Sequence, residues 1–336
     1  MTNYSKALEK SDGYQYSPSV MSKLSFLPHS KPDSTYLKKT NGNSSITISA
    51  SEGKWAYGTI PRMFLLHVRS LIKNGDACVD VEHHTVYLDK TYHSFCESIG
   101  INYTGADRER ALTMVKNLAT TSIVLENWSS DKFKTIHSFF VANYVGLNYG
   151  TSNKSQSYIK FSPEMWELLT ENCVPLNSTI IKQLKNDALA LDVYQWLAFR
   201  ANSVRRETCV SWDALRAQFK YDGYPMRKFK YKFKTVLEKI QRAWPELKIK
   251  TTDAGVTVCP SIPSIYSVEN NTVEDVKPVV DDYSVATHSS IASIASGNDV
   301  VEGTVETGSN TKSEPHVKAS PRQDGDGRKG EGFNPF

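Results

Sequence analysis

Between Phe229 and Trp244 the apolar residues recur at the period of an α-helix. Phe229, Phe233, Val236, Leu237, Ile240 and Trp244 share one stripe. At about 100° per residue, Arg227, Tyr231, Lys234 and Arg242 fall opposite that stripe, and Lys230 and Lys232 flank it. Phe229, Tyr231 and Phe233 also alternate as a strand would, but the pattern persists to a stop at Trp244-Pro245, too long for a strand. The spacing predicts a helix that starts just after Pro225, with an apolar back and a cationic front carrying one aromatic.

The same reading upstream places the onset of order at Trp55. Pro61 suits the first turn of a helix carrying Met63, Phe64, Leu65, Val68, Leu71 and Ile72, closed at Asn74-Gly75. A short strand near 86–88 follows, then helices over 90–99 and 106–120, strands at 122–126, 136–145 and 158–161, and a helix capped by Ser162 with Pro163 in its first turn. From about residue 176 the order repeats. A long helix begins at Ile180 or Asn186 and ends at Asn202, a short strand covers 208–210, and Ser211 caps a helix over 212–219. The basic helix is the third of this set, and a two-stranded ribbon over 247–251 and 256–259 turns at Thr252-Asp253-Ala254-Gly255. Helix, strand, helix, helix and ribbon is the order of a winged helix, and 55–170 shows the same order with a larger sheet. The fold expected is therefore α+β, with two tandem winged-helix domains. They occupy 54–174 and 175–266, the second of them DNA-binding, between a flexible N-terminal arm over 1–53 (with one short strand at 45–48) and an acidic disordered tail over 267–336.

Charge sharpens the division. The chain carries 40 Lys+Arg against 36 Asp+Glu, but from Ser267 onward the count is 6 against 12 and before it 34 against 24. A body of net +10 ahead of a tail of net −6 suits a polyanion partner, with the tail solubilising the protein or competing for the same surface. The five cysteines are scattered without a CxxC pair, which fits a reducing cytoplasm. Neither a signal sequence nor an 18-residue apolar run occurs, so a soluble cytoplasmic protein without membrane contact is expected.

Catalytic patterns are scarce. The chain has no GxxxxGK[ST] loop, no GxGxxG after a strand, no HExxH and no DxDxDG. His83 and His84 are adjacent, so on a strand they face opposite ways and chelate poorly together. No catalytic residue, metal or cofactor is therefore assigned, and an enzyme is not expected. Binding chemistry is better represented, because a duplex reader needs cations for phosphates and polar forks for base edges. On the second unit the candidates are Arg227, Lys228, Lys230, Tyr231 and Lys234 on the helix and Lys248 and Lys250 on the ribbon. On the first they are Arg108, Arg110 and Lys116, with Asp107 and Glu109 interspersed.

Four strings resemble the plasmid-encoded RepA-type replication initiators. Tyr57-Gly58-x-x-Pro61-Arg62 resembles that family's opening motif, and Leu189-Ala190-Leu191-Asp192-Val193-Tyr194-Gln195-Trp196-Leu197-Ala198-Phe199-Arg200 its most distinctive block. Ser211-Trp212-x-x-Leu215-x-x-Gln218-Phe219 and Pro260-Ser261-x-Pro263 follow in the expected order, and together they span about 55–266. One string departs: Thr104-Gly105-Ala106-Asp107-Arg108 stands where two glycines before a basic residue are expected. The resemblance implies a protein that binds repeated sequences in a plasmid origin, promotes duplex opening and recruits host helicase and initiator proteins. It also implies tandem winged helices and a homodimer form that dissociates or rearranges. The rival readings are a winged-helix transcription regulator, including one of its own gene, and a nicking enzyme acting through a tyrosine. The 189–200 block has a plain structural account as well, with its large apolar residues in the core and Asp192 and Arg200 pairing within or between helices.

Overall fold

In the computed structural model, which describes residues 13–88, 92–100, 105–130, 132–148, 156–171, 173–219 and 225–265, the chain is a mixed α/β structure whose strands pair antiparallel. It opens with β1 (Tyr14–Pro18), α1 (Ser19–Leu24), β2 (Tyr36–Asn41) and β3 (Ser44–Ser49). These elements correct the expectation of a disordered arm over 1–53, of which residues 1–12 lie outside the described part. Val20, Met21, Leu24, Phe26 and Leu27 are buried, so the segment pays its ordering entropy from apolar contact. The strand expected at 45–48 is β3, whereas β1 was illegible locally because its partner is remote: Tyr14 pairs with Asn177.

Next come α2 (Thr59–Asn74), β4 (Val79–Asp80), β5 (Thr85–Tyr87), α3 (Tyr92–Ser98), α4 (Gly105–Ala119), β6 (Ser122–Ser130), β7 (Phe133–Phe140), β8 (Ala142–Gly146), β9 (Tyr158–Phe161), α5 (Pro163–Thr170) and β10 (Cys173–Asn177). The caps behave as the sequence suggests. Gly75 closes α2 in the left-handed conformation, and Ser162 Oγ accepts from Met165 N at 3.1 Å. The strand expected over 136–145 is two strands. β7 completes the sheet β2-β3-β6-β7 and β8 completes β4-β5-β9-β8, and the chain changes sheets at buried Val141, whose N–H bonds Thr121 O at 2.9 Å.

The second half contains α6 (Ser178–Leu184), α7 (Ala188–Ser203), β11 (Thr208–Ser211), α8 (Trp212–Phe219), α9 (Met226–Ala243), β12 (Ile249–Thr251) and β13 (Gly255–Val258). Both candidate starts of the long helix are used. The chain breaks at Lys185 to Asp187 and restarts as Asp187 Oδ1 accepts from Ala190 N at 3.1 Å. The expected two-stranded ribbon is a three-stranded sheet, because β13 pairs with β12 on one side and β11 on the other. Gly255 permits this pairing: a Cβ there would stand 2.0 Å from Val210 O. The tail over 267–336 lies outside the described residues.

One contiguous core runs through both halves, from Val20 to Val258. A buried polar cluster crosses it. The Asp192 carboxylate on α7 takes Arg62 Nε at 2.7 Å on Oδ1 and Arg62 Nη2 at 2.7 Å on Oδ2. Ser25 Oγ donates to the same Oδ2 at 2.5 Å, and His29 Nε2 lies 2.9 Å from it. The remaining Arg62 donors reach Leu27 O at 2.6 Å, Pro28 O at 3.0 Å and Gly58 O at 2.6 Å, so all five N–H groups are used. Gly58 offers that carbonyl at φ 77° and ψ −151°, a conformation open essentially to glycine. Asp192 therefore pairs with Arg62 and not with Arg200. Two of the four motif strings meet at this ion pair.

Candidate nucleic-acid interface

The basic helix α9 takes the orientation its pattern dictates. Phe229, Phe233, Val236, Leu237 and Ile240 are buried, while Arg227, Lys228, Tyr231 and Arg242 are exposed. Trp244 Nε1 donates to Ile262 O at 3.0 Å just past its end. Its start has no side-chain cap and no acid in the first turn, although acids there would favour the helix dipole. Arg227 and Lys228 instead sit at the positive end of that dipole, an arrangement that costs the free helix and favours an incoming anion.

Trp212, the first residue of α8, joins the helix to the hairpin. Its ring meets Phe229 and Phe233 edge-on, with centroids 6.2 Å and 6.1 Å away. Its Nε1 donates to Thr252 O at 2.9 Å and its N–H to Ala254 O at 3.2 Å, both in the β12–β13 turn. Lys230 Nζ and Lys234 Nζ lie 5.5 Å and 5.9 Å from its centroid, within cation–π range. Lys230 also donates to Asp253 O at 3.1 Å. The hairpin turn is thus fixed to α9 through one indole and one lysine. An open, shallow depression on this face is lined by Met226, Arg227, Lys230, Tyr231 and Lys234. Sequence reasoning overlooked Trp212 as the ring beneath Lys230 and Lys234, although an aromatic opening a helix ahead of a basic helix was a readable signal.

The other candidates are placed unequally. On β12, Lys250 is held by Glu207 at 2.6 Å, which raises the lysine pKa and lowers that of the carboxylate. Lys248 is exposed beside it, its N–H bonded to Ser261 Oγ at 2.9 Å. Arg110 and Lys116 are exposed on α4, whereas the Arg108 side chain lies outside the described residues. Helix α4 packs on α2, α3 and β8, and α9 packs on α6, α7 and α8, so the two basic helices belong to different parts of the core. Among the described residues, no group of three or more His, Cys, Asp and Glu side chains is placed to hold a metal ion, and no helix is long and apolar enough to cross a membrane.

Residues 55–214 match the family model described as "Plasmid encoded RepA protein". This segment belongs to the RepA-type initiator family. The RepA segment contains the Arg62–Asp192 pair and ends within α8, so α9 and the hairpin stand on their own geometry. No relative among curated proteins matches the chain. Two solved structures are similar to it: "Crystal structure of SeMet derivatives of domain2 and domain 3 of RctB" (TM-score 0.48, 13% identity, 73% of this chain and 99% of that one) and "Crystal structure of the RctB domains 2-3, RctB-155-483" (TM-score 0.43, 14% identity, 71% and 94%). Likenesses of this degree decide neither the fold nor the function of this chain.

Proposed function

We propose that the protein is a non-enzymatic plasmid replication initiator that binds repeated sequences in duplex origin DNA through α9. The observation that carries the reading is the face of Arg227, Lys228, Tyr231 and Lys234, with Lys234 over the Trp212 ring, at a helix whose first turn holds no acid. In this reading residues 175–266 are a winged-helix domain, with α9 in the major groove and the β12–β13 hairpin as the wing beside it. Residues 54–174 form a second winged helix that offers Arg110 and Lys116 to the adjoining backbone. Binding by several copies strains the neighbouring AT-rich duplex, and the opened strand receives host helicase and initiator proteins. The family of residues 55–214 supports the initiator role.

Footprinting on supercoiled DNA that flanks the protein's own gene tests the proposal. Protected direct repeats, with permanganate-reactive thymines beside them, are expected. Affinity should drop by about 10³ between roughly 50 and 200 mM salt if some six phosphates are contacted. Protection without strand opening would leave a transcription regulator. A covalent protein–DNA adduct through a tyrosine would overturn the non-enzymatic reading.

A further inference from the structure

Arg200 is a cation left over from the packing that surrounds it. It sits half-buried in the last turn of α7, its guanidinium carbon 5.3 Å from the centroid of the Trp196 ring. Burial lowers its pKa, yet a guanidinium stays protonated throughout the physiological range. The negative end of the α7 dipole favours a cation there but supplies no bidentate acceptor. Among the described residues no carboxylate pairs with it, in contrast to Arg62, whose five donors are all engaged. A partly desolvated charge of this kind gains more from an anion than a fully hydrated one does.

Its position follows from how α7 meets α9. Lys239 Nζ of α9 lies 3.4 Å from Asp187 Oδ2 at the start of α7, and the Phe233 and Trp196 rings meet with centroids 6.4 Å apart. The two helices therefore run antiparallel. One turn beyond Trp196 on α7 corresponds to one turn before Phe233 on α9, which puts Arg200 level with Lys228 and Phe229. Lys23 Nζ, 5.1 Å from the Phe199 centroid, adds another cation at this end of α7.

From this juxtaposition we infer that Arg200 is a further phosphodiester anchor, which takes one backbone phosphate beside the first turns of α9 while Trp196 holds the guanidinium plane. The inference rests on the reading of α9 as the DNA-binding helix. It extends that face onto the 189–200 block, whose side chains otherwise serve the core.

Phenylglyoxal modification of the full-length protein, read arginine by arginine by mass spectrometry, separates the two claims. The probe is a mixed-sequence duplex of three helical turns at low salt. Arg200 and Arg227 are expected to become protected, and Arg242, at the far end of α9, to keep its rate. Protection of Arg227 with Arg200 unchanged overturns this inference alone. Protection of neither overturns the α9 reading as well. In parallel, Arg200→Gln should lower the salt slope of duplex binding by about 0.9 and weaken binding roughly tenfold, while Arg200→Lys keeps the slope. A wild-type slope in a folded Arg200→Gln protein would refute the anchor. If that variant does not fold, the modification experiment on the wild-type protein still decides.

Discussion

The Arg62–Asp192 pair allows a prediction from first principles. Arg62 is fully buried and Asp192 nearly so, with side chains 0% and 4% exposed. Five donors of one guanidinium meet two carboxylate oxygens and three carbonyls, at 2.6 to 3.0 Å. Arg62→Lys keeps the charge but brings three donors on a point-like head, so at least two of these bonds are lost. At ~1–1.5 kcal/mol for each bond, plus the cost of carbonyls left without a donor, the substitution should destabilise by about 3 kcal/mol or more. Asp192→Asn leaves the guanidinium without its counter-charge and should cost about 3–5 kcal/mol. Against the ~5–15 kcal/mol by which proteins are stable, either loss takes a large share. Urea unfolding at neutral pH, followed by tryptophan fluorescence, should show a lower midpoint at unchanged m. The double replacement Arg62→Met with Asp192→Leu should cost less than the sum of the single ones, by about 2 kcal/mol, because no charge is then stranded. An Arg62→Lys protein within about 0.5 kcal/mol of wild type would refute the reasoning.

Other consequences can be measured as readily. Burial holds the His29 pKa near 4, against an ordinary 6.5, so the unfolded chain takes up a proton that the folded one refuses. Stability should therefore fall by about 3 kcal/mol as pH drops from about 6.5 to about 4, and His29→Gln should flatten that slope. An equally steep decline in the variant would remove His29 as the cause. Alanine at Arg227, Lys228 or Lys234 should each reduce the salt slope of DNA binding by about 0.9 with little change in folding, and three unchanged slopes would dismiss the α9 face. Glu207→Gln frees Lys250 from its partner and should tighten duplex binding, whereas weaker binding would show that Lys250 does not reach the phosphates. Gly255→Ala forces a methyl against Val210 O and should detach β11 from β13, seen as lost amide protection across Thr208–Ser211; retained protection would contradict the contact.

Helices with a strong local period were legible in the chain, and α2, α4, α5, α8 and α9 lie within a residue or two of where apolar spacing and caps put them. The strands at 45–48, 122–126, 158–161 and 208–210 were legible too, but their pairing was not, because a strand's partner lies outside the local pattern. β1 and β10 define each other across more than 150 residues, β3 needs β6, and β11 is a sheet member only because Gly255 lets β13 approach. Asp192 illustrates the same limit for chemistry. Its helix was readable, but its partner Arg62 stands 130 positions away in sequence.

The candidate site divides along a similar line. Composition makes all the lysines and arginines of the basic body look alike; packing sorts them. Arg62 and Lys39 exhaust their donors inside the core, where Lys39 Nζ serves the carbonyls of Ser25 and Leu27 and the Ser25 hydroxyl. Lys38 and Lys134 share Glu126 on the face of the β2-β3-β6-β7 sheet and hold its carboxyl at about 2. Lys250 is tied to Glu207 at the surface, a bond that water and salt readily exchange. At the N-terminal end of α9, Arg227, Lys228 and the neighbouring Arg200 have no acid set against them among the described residues. Arg227 and Lys228 at the positive end of the α9 dipole cost the free protein stability, and the proposed function accounts for them by an anion that arrives from outside. This contrast between spent and unspent cations, more than the net charge of the body, is what supports the proposal of a polyanion at one end of one helix.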